Sequence, residues 1–245
     1  MLRLFLLANL LIGGFVMQAA AQENFATDVV KTPAGNLEIT FIGHGTLMFR
    51  FDGKVIHIDP WTQLADYTQL PKADLMLITH EHRDHLDWKA VENLRTEKTV
   101  VVCPQICAAQ VTGATMMKNG DVKIIKGLEI KAVAAYNIIH KRDSGQPFHP
   151  KGDGNGYIIT FGDRNLYVAG DTENIPEMKK LKGIDIAFLP MNLPYTMTPE
   201  MFADAAKAFK PKILYPYHYG ETDTSEILEL LKDTKEIEVR IRKMK

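Results

Sequence analysis

Alternating apolar and polar positions predict strands at 37–42, 46–51 and 55–59. Asp52 and Gly53 stand between the second and third as the turn of a tight hairpin. Strands and helices then alternate. The apolar run 74–79 reads as a strand, 85–94 as a helix, 99–103 as a strand and 105–111 as a further helical turn or two. More strands follow at 122–125, 128–135, 156–161 and 165–169, divided by Gly and Asp turns. The C-terminal part returns to alternation, with strands at 184–189, 213–215 and 237–241 and helices at 198–209 and 225–231. Thr198, Pro199 and Glu200 supply a helix start. Two strand-rich halves, each followed by helices, predict an α/β fold of four layers, an αββα sandwich. With no short repeat or low-complexity linker, 22–245 reads as one domain.

The first residues break this pattern. Arg3 precedes an apolar run from Leu4 to Met17, and Ala19, Ala20 and Ala21 follow with the small side chains a signal peptidase requires. The run is short for a membrane span of roughly 20 residues. Residues 1–21 therefore read as a signal peptide, the mature chain as beginning at Gln22, and the protein as exported to the periplasm or medium without stable membrane insertion.

Of the 245 residues, 46% are hydrophobic and 24% charged, the balance of an ordinary globular protein. A formal charge of -1 gives no electrostatic basis for nucleic-acid binding. Cys103 and Cys107 are the only cysteines, and without a neighbouring His or Cys they supply at most half a metal site. They read as buried small apolar residues.

The chemistry is concentrated at the boundary between the predicted strand 74–79 and the following helix, in Thr79, His80, Glu81, His82, Arg83, Asp84 and His85. In extended backbone His80 and His82 point to the same side, while Asp84 and His85 turn into the helix start. Two pairs of ligands can therefore face adjacent metals. Imidazole and carboxylate without thiolate favour zinc, manganese or iron, with zinc the default for a hydrolytic centre. Further candidates follow strands elsewhere: Asp171 in Ala169-Gly170-Asp171-Thr172, and His218 in Tyr217-His218-Tyr219-Gly220.

The His-x-His-x-Asp-His pattern at His80, His82, Asp84 and His85 resembles the metallo-β-lactamase superfamily, over nearly all of the mature chain. The resemblance implies two divalent metal ions, with His80 and His82 on the first, Asp84, His85 and His218 on the second, and Asp171 bridging. It also implies one more histidine for the first metal, for which both His140 and His149 are available. Phe148-His149-Pro150 before the glycine-rich 152–156 resembles the lactonase-like and phospholipase-D-like branch and favours His149. Asp59 at a strand end is suited to accept the free ring N–H of a metal-bound histidine. His44, between Gly43 and Gly45, pins a loop or touches substrate, and His57 on its apolar strand is structural.

Two metals of this kind generate a hydroxide nucleophile from water at neutral pH, so no Ser or Cys nucleophile is needed. Asp84 and the metals would position it against an ester, lactone or phosphoester of a small molecule, with Tyr195, Tyr219 and His44 as candidate proton donors. Lactam hydrolysis through a thiolate-containing site is disfavoured, because Asp171 stands where that route places a cysteine. The competing class is an exported metal-binding protein without turnover.

Overall fold

The alternating run beginning at Leu37 forms β2 (Gly35–Gly43), flanked antiparallel by β1 (Ala26–Thr32) and β3 (Thr46–Phe51), in a computed structural model that describes residues 25–244. The segment 1–21, read above as a signal peptide, lies outside the described residues. β3 turns into β4 (Lys54–Ile58) through Asp52 and Gly53, whose φ values of 48° and 71° are the two positive angles of a type I′ hairpin. β5 (Leu75–Leu77), β6 (Val100–Cys103) and β7 (Thr115–Met116) then add in parallel, completing a seven-stranded sheet ordered β1 to β7.

The second half repeats this plan. Its sheet also has seven strands: β8 (Val122–Ile125), β9 (Leu128–Ala135), β10 (Gly154–Phe161), β11 (Arg164–Val168), β12 (Ile186–Pro190), β13 (Ile213–Tyr217) and β14 (Glu238–Val239), neighbours in that order. Pairing is antiparallel from β8 to β11 and parallel from β11 to β14.

Alternation decides what each strand buries. On the first sheet Leu47, Phe49 and Phe51 join the central core, whereas Met48 faces the other way, into a smaller cluster. That cluster holds Met76, Ile78, Val101 and Cys103 with Ala90, Val91 and Leu94 of α1 (Trp88–Leu94). The sheets meet through aromatic rings: Phe41 lies 5.1 Å from Tyr215 and Phe49 lies 6.2 Å from Phe188, while within the second sheet Phe188 stacks on its neighbour Tyr215 at 4.9 Å. Outside the second sheet lie α2 (Pro176–Lys179), α3 (Pro199–Phe209) and α4 (Ser225–Leu230), with Phe209 edge-on to Tyr167. The αββα sandwich expected from the sequence is the observed fold.

At the chain ends a charged cluster links the sheets. Asp28 of β1 accepts from Arg242 Nη2 at 2.7 and 2.8 Å and from Tyr215 Oη at 2.6 Å, while the Arg242 guanidinium lies 5.6 Å from the Phe41 ring. Burial works against this carboxylate, but Tyr215 and Arg242 outweigh it and hold Asp28 below the usual carboxylate range.

Several predicted boundaries move. The helix expected at 85–94 starts at Trp88, because the Asp87 side chain caps it by accepting from the amides of Lys89 and Ala90. Residues 80–87 are thereby left outside the helix. The helical turns expected at 105–111 reduce to a 3₁₀ turn at Gln105–Cys107, and the last strand to two residues. β1, unseen in the sequence, is an edge strand with no fully buried side chain, so its apolar signal is weak. Cys103 and Cys107 are buried free thiols. Among the described residues no helix is long and apolar enough to cross a membrane.

Phe188 is fully buried at the junction of the two sheets. Phe188→Ala is expected to lower unfolding free energy by about 3–5 kcal/mol, and Phe188→Leu by distinctly less, in urea denaturation. Equal losses would locate the sheet-to-sheet packing elsewhere.

Candidate metal centre

Five of the segments that build the site leave the ends of strands: His44 after β2, Asp59 after β4, His80 to His85 beyond β5, Asp171 beyond β11, and His218 after β13. Both sheets contribute, so their packing brings the two sets together. Three of these residues, His44, Asp59 and His218, have φ values of 50°, 44° and 45°. Non-glycine residues in this region cost on the order of 1–3 kcal/mol each and persist where surrounding contacts hold them. Here His218 N donates to His44 O at 2.9 Å, locking one strained residue to another across the sheets. Gly45 permits the approach, because a Cβ there would lie 2.8 Å from His85 Cε1 and 3.3 Å from His218 Cδ2.

Proton bookkeeping begins at Asp59. This fully buried carboxylate accepts from Thr79 N at 2.7 Å, Thr79 Oγ1 at 2.6 Å and His85 Nδ1 at 2.8 Å. Burial raises its pKa, and the His85 and Thr79 bonds pull it back. With its proton given to Asp59, Thr79 Oγ1 accepts from His80 Nδ1 at 2.9 Å. Both rings thus hold a proton on Nδ1 and turn Nε2 inward. On the other sheet Asn137 Oδ1 accepts from His149 Nδ1 at 2.6 Å and from His149 N at 2.9 Å. Its amide group donates to Glu173 Oε1 and Tyr195 O, which fixes which end of Asn137 is the oxygen.

Two groups of inward atoms result, linked by a third made of His80, His85 and Asp171. His80, His82 and His149 each offer a nitrogen, all within 4.8 Å of one another; Asp84, His85 and His218, with His44, form a second such group. Asp171 stands between them. Its Oδ2 lies 3.3 Å from His149 Nε2, 3.5 Å from His218 Nε2 and 3.9 Å from His80 Nε2, and its Oδ1 lies 3.6 Å from His85 Nε2. In the neutral His149 ring, Nε2 is a lone pair facing carboxylate lone pairs, and neither His149 Nε2 nor Asp171 Oδ1 has a hydrogen-bond partner among the described residues. Buried acceptors facing acceptors are unfavourable without a cation between them. The donor set therefore fits divalent metal ions.

The electrostatics agree. Burial would push the His85 ring down, but Asp171, Asp59 and Asp84 raise it to about 9. Burial opposes the charge on Asp171 as well, yet His218 and His85 hold it far below the usual range. Asp84 is likewise held low against its burial by His218 and by His44, whose Nε2 lies 3.0 Å from Asp84 Oδ2.

His140, the alternative to His149, is not in either group; its Nδ1 faces Glu173 Oε1 at 3.1 Å. His57 is buried apart from the site, donates to Pro71 O at 3.1 Å, and is pushed by burial to about 4. Tyr219 is engaged with the C-terminal segment, donating to Arg242 O and accepting from Met244 N. Tyr195 lines the open cleft of about 430 Å³ above the metal groups, together with His82, Asp84, Phe148, His149 and His218. Nothing in the sequence pattern marks Asn137 and Glu173 as supports, and Thr79 stands out there only as the first residue of the run 79–85. Glu173 accepts from the amides of Ile138, Ile139 and His140 as well as from Asn137, so it shapes the loop that orients His149.

Comparison with known proteins places the chain in a family. The sequence model of the Beta-lactamase superfamily domain matches residues 38–218. A UPF0173 metal-dependent hydrolase of Koribacter versatilis is 34% identical over 201 residues, covering 75% of this chain and 84% of that protein. A crystal structure from Parabacteroides distasonis, described as a candidate metal-dependent hydrolase, is 49% identical with a TM-score of 0.87, covering 91% of this chain and all of that one. Igni18, a metallo hydrolase of Ignicoccus hospitalis, is 27% identical with a TM-score of 0.70, covering 84% and 95%. The chain belongs to the β-lactamase superfamily and is a metal-dependent hydrolase with the metallo-β-lactamase fold.

Proposed function

We propose that this hydrolase works with two divalent ions, zinc in the first instance, and cleaves an ester, lactone or phosphoester bond of a small molecule after export from the cytoplasm. The observation that carries the two-ion reading is the pair of ligand groups flanking the single Asp171 carboxylate, with lone pairs directed inward from both sides. His80, His82 and His149 would hold one ion, Asp84, His85 and His218 the other, and Asp171 both. Export rests on the apolar run from Leu4 to Met17 and the alanines that follow it.

When bound, such ions supply an activated water and polarise a carbonyl or phosphoryl oxygen. The chain's own residues do the positioning. Asp59 and Asn137 hold protons on the outer ring nitrogens of His85 and His149, leaving Nε2 free in each. Asp84, fixed by His44, presents an ionised carboxylate at the cleft floor for orienting the attacking water. Tyr195 is the hydroxyl in the cleft wall and the proton donor we favour for the leaving group.

Purified protein is expected to carry two metal ions per chain by mass spectrometry and to hydrolyse members of an ester, lactone and phosphodiester panel. His82→Ala and His149→Ala should lose metal and turnover together, whereas His140→Ala should keep its metal. A metal-free His82→Ala protein that still turned over substrate would sink the reading.

Asp59→Asn places an amide N–H where His85 Nδ1 donates, which favours the wrong tautomer and turns a proton toward the metal. Metal affinity should fall about 10–100-fold, with the fold retained by circular dichroism.

The proton on His85 gives a pH dependence with a definite sign. At pH 7 a ring raised to about 9 is protonated in the metal-free protein, and metal must displace that proton. Affinity should rise about tenfold per pH unit up to about 9 and level off above it, as measured by chelator competition. A flat profile from 7 to 9 would count against His85 as a ligand.

A further inference from the structure

We infer that the cleft carries an anion subsite made by Arg142, Arg83 and the outer N–H of His82, so that the substrate bears a carboxylate or phosphate group beside the bond to be cleaved. The inference rests on the proposed metal centre, specifically on His82 binding through Nδ1.

That nitrogen lies 3.1 Å from His80 Nε2, inside the first ligand group. A neutral ring that uses the Nδ1 lone pair must keep its proton on Nε2. His82 Nε2 lies 3.4 Å from Arg142 Nη2, a contact in which Arg142 donates when the ring proton is on Nδ1; with a metal on Nδ1 the proton moves to Nε2 and two N–H donors would confront each other at the cleft wall. Neither can accept from the other. An oxygen anion is the group that satisfies both, because it accepts from several donors at once.

The remaining contacts of Arg142 leave that role open. The guanidinium lies 5.2 Å from the Phe148 ring, and Nη2 reaches Phe148 O at 3.3 Å; it forms no ion pair among the described residues. Its position over Phe148 keeps the guanidinium in the cleft lining, where its planar fork suits bidentate capture of a carboxylate or phosphate. The short hairpin that carries it is closed by Arg142 N donating to Gln146 O at 2.8 Å and Gly145 N to Arg142 O at 2.8 Å. Arg83, next to His82 in sequence, lines the same cleft and also has no ion-pair partner among the described residues. Among the described residues the carboxylates lining the cleft are Asp84 and Asp171, both assigned to the metals. With its metals in place the cleft is thus strongly cationic, and like-signed groups converging on one concavity attract an anion.

Isothermal titration of metal-loaded protein with inorganic phosphate and, separately, with succinate tests the subsite, alongside metal content for each variant. Arg142→Gln should weaken binding of at least one anion about 10-fold or more with metal content unchanged, and Arg83→Gln should weaken the same anion. Loss for phosphate alone points to a phosphate-bearing substrate, and loss for succinate alone to a carboxylate. An Arg142→Gln protein that keeps its metal and binds both anions as tightly as the parent overturns the subsite while leaving the metal centre standing. A parent protein that holds no metal overturns both. Hydrolysis supplies a second measure: the parent should prefer 4-nitrophenyl hemisuccinate to 4-nitrophenyl butyrate through KM, and Arg142→Gln should erase that preference, with the larger loss falling on KM for the hemisuccinate. Equal losses on the two esters would contradict the assignment.

Discussion

The site depends on a carboxylate that never reaches the cleft. Asp59 accepts three hydrogen bonds at the end of β4, two from Thr79 and one from His85. By doing so it ties β4 to the segment beyond β5 and decides where the protons on two imidazoles reside. Burying an anion is costly unless its lone pairs are satisfied, and here they are satisfied by the groups that need orienting. The second sheet has a matching device. Glu173 gathers three backbone amides and Asn137, and Asn137 sets His149. Each sheet therefore carries its own device for orienting the histidines it brings to the place where the two sheets meet.

What the meeting creates is an excess of acceptors around Asp171. Lone pairs from several rings and two carboxylates converge within a few ångströms, an arrangement that cations relieve. Without metal, part of this is relieved by protons, which is why the His85 ring is held up near 9 against its own burial. Protons and metal ions are thus alternative occupants of one electrostatic well.

Much of this was legible in the sequence. The motif at His80 to His85 falls where an apolar strand ends, and Asp171 and His218 also follow strands, so period and punctuation together located them. The preference for His149 over His140 came from resemblance alone; structurally the two differ because Glu173 draws His140 aside, while Asn137 turns His149 inward. No local pattern could have revealed that. Asn137 and Glu173 are 36 residues apart and polar without periodicity, and Thr79 looked like the last residue of a strand. The edge strand β1 and the four-residue helix α2 escaped notice because short or half-exposed elements leave little apolar signature. The start of α1 was misplaced because Asp87, rather than the histidine run, caps it.

The cluster of Asp28, Tyr215 and Arg242 acquires significance from this division of labour. The two halves of the chain are continuous through the link between β7 and β8, while Asp28 and Arg242 lie at the opposite ends of the described chain. The pairing acts as a clasp on a hinged book: one margin is held by covalent chain and the other by a guanidinium fork. Shear between the pages would change the spacing of ligands that sit on different pages. A feature remote from the chemistry thereby helps keep the two half-sites in register.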